Sequence, residues 1–370
     1  MKFQTPYSAY KIVHHINVIN NLKNNIQSAP IQVQMIISDL CNQNCRFCAY
    51  RLENYASNQL FKVIDPITHL INNNPNRMIS KEKCLEILDD CVGIGTKAIQ
   101  YTGGGEPTVH PHHIEIFNRT LELGLDLALV TNGMIVKEQL PEILSRSKWV
   151  RFSIDSSNSK SYSKIRRTPE NSYNKVLNNI EKVVKERNNY KDSDLIIGIG
   201  FVVTEDNHSE IYEATKIAKD LGVDNIRITA EFTVKDYTCH DKYYIESRDL
   251  ARQAKEDFED SKFIVFNLFG ERIQDIIDER PEYEVCAYMH VNTYIGGDLN
   301  VYRCCNTAYN KHGLIGSIKE QRFKELWFSQ EKIDNFSKFK AHSCEKCTFN
   351  NKNRLINYML DENPLHVNYI

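Results

Sequence analysis

Residues 31–48 read IQVQMIISDLCNQNCRFC, an apolar run that stops at Ser38 and is followed at once by Cys41, Cys45 and Cys48. Residues 31–38 have the short, β-branched composition of a buried strand. The cysteines stand in a CxxxCxxC spacing, so a single loop can aim three thiolates into one small volume. Structural zinc sites take four protein ligands, commonly from paired CxxC arms. Iron–sulfur clusters are held by thiolates and accept closely spaced cysteines from one loop. Three thiolates on a four-iron cluster leave one iron open to a further ligand.

Outward from this stretch a rhythm appears. A helix is predicted over 81–92 with Ser80 as N-cap, then a strand over 98–102. The next helix opens near Pro111, carries Ile114, Phe117 and Leu121 on one face and stops at Gly124. Strands at 125–131, 149–154, 195–203 and 225–229 alternate with helices at 137–145, 173–187 and one ending at Leu221-Gly222. Six strands alternating with helices predict an α/β fold: a parallel sheet curled by right-handed crossovers into a barrel or part of one. In such sheets ligands lie beyond the carboxyl ends of the strands, which is where the cysteine triplet falls.

The rhythm fades near residue 236. The remainder has a helix near 248–259, a Gly296-Gly297 turn in strand-like sequence, and six of the eleven cysteines. The expected division is an N-terminal amphipathic extension over 1–30, a barrel over 31–235 and a smaller cysteine-bearing domain over 236–370. The extension rests on Ile12, Ile16, Ile19, Leu22 and Ile26 at helical spacing. Residues 51–79 form a long insertion beside the triplet, a candidate lid or substrate element offering Tyr55, Asp65 and His69.

The 370 residues are 41% hydrophobic and 25% charged, as in a soluble globular protein rather than a disordered chain. Lys plus Arg is 46 and Asp plus Glu 48, a net charge of −2. That disfavours a broadly basic nucleic-acid coat while leaving room for a local basic groove. No run reaches the ~18 apolar residues of a membrane span, and the N-terminus lacks a secretory apolar core. Cytoplasm is the expected compartment. Eleven cysteines, an odd number in a long chain, make a poor disulfide framework, so metal ligation accounts for many of them.

Further motifs follow the strands. Thr102-Gly103-Gly104-Gly105-Glu106-Pro107 comes after the second: glycines permit close backbone approach, and a carboxylate beside them accepts hydrogen bonds from an ammonium. Thr131-Asn132-Gly133 follows the third, and Ser153-Ile154-Asp155, with Arg166 downstream, follows the fourth. Gly198 and Gly200 interrupt the fifth, which points to close approach of a ligand or of backbone.

With Phe47 before its last cysteine, the triplet and these motifs resemble the radical S-adenosylmethionine (SAM) enzymes. The resemblance implies a partial (β/α)6 barrel of TIM type. It implies that Cys41, Cys45 and Cys48 hold a [4Fe–4S] cluster whose open iron chelates SAM. Reductive cleavage of SAM there gives a 5′-deoxyadenosyl radical that abstracts a substrate hydrogen. Gly103, Gly104, Gly105 and Glu106 are implied at the SAM amino group, Ser153 and Arg166 at its carboxylate, and Gly200 near its adenine, with Asp155 among the cofactor-binding residues. Phe47 and Asn132 are implied beside the same cofactor. Arg166 falls one residue later than the usual spacing, and Arg167 stands where the family has glycine. A flavodoxin- or ferredoxin-type electron donor is implied as a partner.

The tail carries Cys286, Cys304, Cys305, Cys344 and Cys347. Four thiolates from separated points, ending in CxxC, suit a second cluster or an all-cysteine zinc site, and spacing alone does not choose. The order resembles the twitch domain, a shortened relative of the SPASM domain. This implies one auxiliary [4Fe–4S] cluster on Cys286, Cys304, Cys344 and Cys347, with Cys305 as the competitor of Cys304. Cys84 and Cys91, in a predicted helix, read as packed thiols; Cys239 joins no ligand set. The function implied is radical modification of a peptide or small metabolite, with oxidation or bond formation. The alternatives are a non-catalytic zinc- or cluster-stabilised binding protein, and an enzyme acting on RNA, which the net charge disfavours.

Overall fold

The computed structural model describes residues 6–50, 62–64, 71–73, 77–233, 237–277 and 280–368. Tyr55, Asp65 and His69 lie outside these. In chain order the elements are α1 (Ile16–Lys23), β1 (Gln32–Met35), β2 (Lys62–Ile64), β3 (Ile71–Asn73), α2 (Lys81–Ile94), β4 (Ala98–Tyr101), α3 (His113–Glu122) and β5 (Asp126–Thr131). Then come α4 (Leu140–Ser145), β6 (Trp149–Ser153), α5 (Ser159–Arg166), α6 (Asn171–Asn189), β7 (Ile196–Val203), α7 (Ile211–Asp220) and β8 (Asn225–Ala230). The chain continues through α8 (Tyr244–Phe258), β9 (Ile264–Asn267), α9 (Phe269–Ile277), β10 (Asn292–Ile295), β11 (Asn300–Tyr302) and β12 (Leu314–Ser317). It ends with α10 (Phe323–Trp327), α11 (Gln330–Lys338) and α12 (Asn350–Leu360).

Local chemistry sets several boundaries. The Ser80 hydroxyl accepts the Lys83 amide and starts α2, while Gly95 in the left-handed region ends it. Helix α5, which the periodicity misses, has a mostly polar sequence and is begun by Asn158, whose side chain accepts the amides of Lys160 and Ser161.

One ten-stranded sheet has the order β12-β11-β10-β1-β4-β5-β6-β7-β8-β9. The six expected strands are β1 and β4 to β8, all parallel to their neighbours. The sheet does not stop near residue 235: β9 adds a further parallel strand after α8. On the opposite side β10, from the cysteine-rich part, pairs parallel with β1, so the two expected domains share the sheet. Four-residue strands carry too little alternation to announce this in sequence. The N-terminal extension is also not one helix. A 3₁₀ turn over Ala9–His15 precedes α1. Ile12 and Ile19 bury against Ala287, Tyr288, Val291 and Ile356, while Ile16 and Ile26 stay exposed.

Each strand presents two faces. Val150, Phe152, Ile197, Ile199, Phe201, Ile226 and Ile228 pack with Ile116, Phe117, Val176 and Ile180 of the helices in one core. Truncating a residue such as Phe152 to alanine would cost about 3–5 kcal/mol. The alternate residues, among them Gln100, Trp149, Arg151, Ser153, Gly200 and Arg227, lie on the face without helices and are only half buried.

Candidate active site

The loop leaving β1 carries the cysteine triplet at the carboxyl end of the sheet. Its backbone is tied at both sides. The Gly105 amide donates to the Ser38 carbonyl and the Glu106 amide to the Leu40 carbonyl, at 3.1 and 2.8 Å. The Asn44 and Arg46 amides donate to the carbonyls of Arg166 and Ile165, at 3.2 and 3.0 Å. Thus the end of α5 and the glycine turn clamp the loop from opposite directions. All three cysteines are half buried. The Arg166 guanidinium donates to the Cys45 sulfur at 3.2 Å, and the Asn132 amide approaches the Cys41 sulfur at 3.8 Å.

Arg166 is buried, with a second arm on the Asp155 carboxylate and its plane near the Phe47 ring, 5.7 Å from the centroid. Burial opposes its charge, but the Asp155 carboxylate and the Cys45 sulfur overcome that, so its pKa lies above the ordinary value. Asp155 also accepts the Val202 amide at 2.6 Å, fixing it between β6 and β7. The expected pair is therefore brought together, yet it addresses the cysteine loop and leaves the Ser153 hydroxyl without a partner among the described residues. Arg167 adopts φ 52° at the C-cap of α5, which explains the physical preference for glycine there.

Glu106 is buried. Its Oε1 accepts the Thr108 amide, the Thr108 hydroxyl and the Thr131 hydroxyl, at 3.1, 2.7 and 2.7 Å, and Oε2 accepts the Asn132 amide at 2.7 Å. Burial pushes its pKa up and these donors work against the shift. A carboxylate offers about four acceptor seats, so Glu106 is mainly a brace between the turns after β4 and β5, with one seat left on Oε2. The glycines have a packing reason as well. A side chain at Gly104 would run into the Asp39 carboxylate and Tyr309, and one at Gly105 into the Leu40 backbone. Across β7, a Cβ at Gly198 would meet Asn225, while one at Gly200 would only touch Arg151.

Sequence reading missed Asp39, two residues before the triplet. It is fully buried, paired with Arg77 at 2.7 Å and hydrogen-bonded by Tyr309. Burial pushes its carboxyl up to about 7, against Arg77 and Tyr309. Tyr294 of β10 reaches the Gly103 carbonyl at 2.9 Å. These contacts tie the front loop to the region around β10 and β11, a long-range arrangement with no local sequence signal.

Cys286, Cys304, Cys344 and Cys347 line one cavity, and Cys305 is not among its lining residues. Tyr283 donates to the Cys347 sulfur at 3.5 Å, and the Phe349 amide does so at 3.3 Å. His312 Nε2 lies 3.4 Å from the Cys344 sulfur. Burial pushes the Cys286 and Cys347 thiols up to about 12 and about 11, with Cys304 adding to both shifts. Arg303 lines the same cavity, is 5% exposed, and has a buried Nε with no hydrogen-bond partner among the described residues. Burial lowers its pKa to about 10, while Cys286, Cys304 and Cys344 favour its charge. Cys84 and Cys91 are buried in α2, as packed thiols.

Residues 35–213 match the Radical SAM superfamily model, and residues 286–348 match SPASM, an iron-sulfur cluster-binding domain. The chain is a radical SAM protein with a SPASM domain. It is 25% identical over 268 residues to a tungsten-containing aldehyde ferredoxin oxidoreductase cofactor-modifying protein of Pyrococcus furiosus, covering 66% of this chain and 71% of that one. A second relative, an S-adenosylmethionine-dependent nucleotide dehydratase of Flammeovirga pacifica, is 32% identical over 120 residues, 32% of this chain and 36% of the other. The chain thus spans about a third of that relative's length. The fold is similar to that of Streptococcus suis SuiB bound to precursor peptide SuiA, with TM-score 0.60 and 14% identity over 89% of this chain and 72% of that chain.

This radical SAM enzyme uses a SAM-binding [4Fe–4S] cluster and SAM, and its SPASM domain binds iron–sulfur. Among the described residues no three His, Cys, Asp or Glu side chains are grouped as around a single metal ion. The fit therefore rests on donor chemistry. Buried thiols with raised pKa ionise when they ligate a metal, and a buried guanidinium needs an anion nearby. Both needs are met by a thiolate-ligated cluster beside Arg303. No helix among the described residues is long and apolar enough to cross a membrane.

Proposed function

We propose that this protein cleaves SAM reductively at Cys41, Cys45 and Cys48 and removes one hydrogen atom from a peptide or small-metabolite substrate, ending in oxidation or bond formation. The observation that carries this reading is the cysteine loop held at the strand ends with a buried guanidinium on the Cys45 sulfur. When bound, the front cluster supplies the electron that splits the sulfonium and the site for its amino-acid end.

The chain's own residues do the rest. Arg166, locked by Asp155, fixes Cys45 and keeps a positive charge beside the thiolates. The free Ser153 hydroxyl is placed to receive the SAM carboxylate, and the open seat on Glu106 with the Gly103–Gly105 backbone its ammonium. Gly200 leaves room for adenine. Cys286, Cys304, Cys344 and Cys347 would hold one auxiliary cluster, with Cys305 outside the ligand set. Electrons would come from a flavodoxin- or ferredoxin-type donor. Both substrate classes have support: the cofactor-modifying and nucleotide-dehydratase names of the relatives, and the peptide bound to SuiB. Oxygen-free, iron-loaded protein given SAM and dithionite should form 5′-deoxyadenosine; none formed would end this reading.

A further inference from the structure

Four N–H groups of the buried Arg303 side chain are taken up by neutral acceptors of the protein. Nη1 donates to the carbonyls of His312 and Leu314, at 2.7 and 3.3 Å. Nη2 donates to the Asn335 carbonyl at 3.2 Å and to the Asn335 side-chain oxygen. A guanidinium carries five N–H groups, so only the one on Nε is left over. It is buried and has no hydrogen-bond partner among the described residues. The group is also held from the side, with its central carbon 4.1 Å from the centroid of the Phe339 ring.

The cysteines surround this leftover donor. Arg303 precedes Cys304 in the chain and lines the cavity that Cys286, Cys304, Cys344 and Cys347 share. Cys286, Cys304 and Cys344 are the residues whose charges act on it. His312, whose carbonyl accepts from Nη1, has its ring Nε2 3.4 Å from the Cys344 sulfur. No Asp or Glu stands among the described residues lining the cavity, and Arg303 makes no ion pair with a described residue. Lys346, the other cation of that lining, sends its ammonium to the Phe232 carbonyl at 3.0 Å. A buried cation without a carboxylate is costly unless another anion joins it.

We propose that Arg303 donates its Nε–H to a sulfur of the rear cluster and raises the reduction potential of that cluster. This rests on the reading above that Cys286, Cys304, Cys344 and Cys347 hold an iron–sulfur cluster. Net charge and hydrogen bonds to sulfur are two of the levers that set such potentials. Reduction adds an electron to a centre that four thiolates already make anionic. A guanidinium fixed beside it stabilises the added charge, and the low dielectric of a buried site enlarges the effect. The carbonyls of His312, Leu314 and Asn335 hold the group in place without cancelling its charge, as a carboxylate would. Lysine would serve less well, because it keeps the charge but lacks the planar fork that fills these acceptors and still presents Nε.

The test is a potentiometric titration of oxygen-free, iron-loaded full-length protein with dithionite. It follows the electron paramagnetic resonance signal of the reduced cluster that added SAM leaves unchanged. Arg303→Met should keep its iron and lower the reduced-to-oxidised ratio at a given potential tenfold or more. For one electron that is a fall in midpoint of about 59 mV or more. Arg303→Lys should lie between the parent and Arg303→Met. Lys338→Gln, which removes an exposed charge of α11, should titrate as the parent does. The sign separates tuning from mere support. A loosened cavity would admit water, which favours the more highly charged reduced form and raises the midpoint. An unchanged or raised midpoint in Arg303→Met, or an equal fall in Lys338→Gln, would overturn the proposal. Should Arg303→Met fail to retain iron, Arg303→Lys decides: a midpoint below the parent's supports the proposal, and an unchanged one overturns it. Failure of the underlying reading shows separately, as a parent protein without any iron–sulfur signal insensitive to SAM.

Discussion

Cys41, Cys45 and Cys48 come from one short loop and stay half exposed at the end of β1, whereas Cys286, Cys304, Cys344 and Cys347 converge from three stretches of chain onto one cavity. The front set offers three sulfurs and access from outside, which suits a centre that must bind a cosubstrate. The rear set offers four, with Arg303 buried among them, which suits a centre with every iron ligated by protein. Cys286, Cys304 and Cys344 are half buried like the front three and only Cys347 is buried, so ligand number separates the two sets, and it follows from where the chain supplies its cysteines.

The sharpest way to break this contrast is Cys45→Ala. It should abolish 5′-deoxyadenosine formation while leaving the rear iron bound; retained cleavage, or loss of all iron, would mean that the two sites are not separate. Next in size is the choice at the adjacent pair. Cys304→Ala should lower bound iron from ~8 to ~4 atoms per chain, as expected for loss of one of two four-iron clusters, with Cys305→Ala unchanged. The reverse result would reassign the ligand.

A smaller effect separates positioning from ligation at the front. Arg166→Met removes one half of a buried pair and should destabilise the fold by about 3–5 kcal/mol, with slower SAM cleavage. Adding Asp155→Asn should recover much of the stability but not the rate. Equal recovery of both would make the pair purely structural.

The smallest effect is acid sensitivity, one histidine in each region. His113 in α3 and His290 near β10 have pKa values lowered to about 4, mainly by burial, with Lys332 adding to the second. Groups with depressed folded pKa contribute stability above their unfolded value of 6.5, and it is lost as pH falls towards 4. Melting temperature should drop across that window. His113→Gln or His290→Gln should flatten the slope, and the variant with the larger effect marks the region that opens first.

Much of this was legible beforehand because the relevant spacing is local. The triplet, the turns after β4 and β5 and the six alternating strands all follow from short-range pattern. The boundary near residue 235 was not legible, since β9 and β10 are four-residue strands whose membership depends on partners far away. The role of Glu106 was only half legible: its type suits an ammonium, but four protein donors meet it once β4 and β5 are adjacent.

By itself the sequence determined which cysteines can act from one loop, because covalent spacing limits how far three neighbouring sulfurs can separate. It also determined the alternation that makes a parallel sheet. Only the tertiary structure decided that Cys304 and not Cys305 lines the rear cavity, and that Arg166 reaches the Cys45 sulfur. Those relations join residues far apart in the chain, and strand register and crossover packing, rather than bond lengths, set their distances.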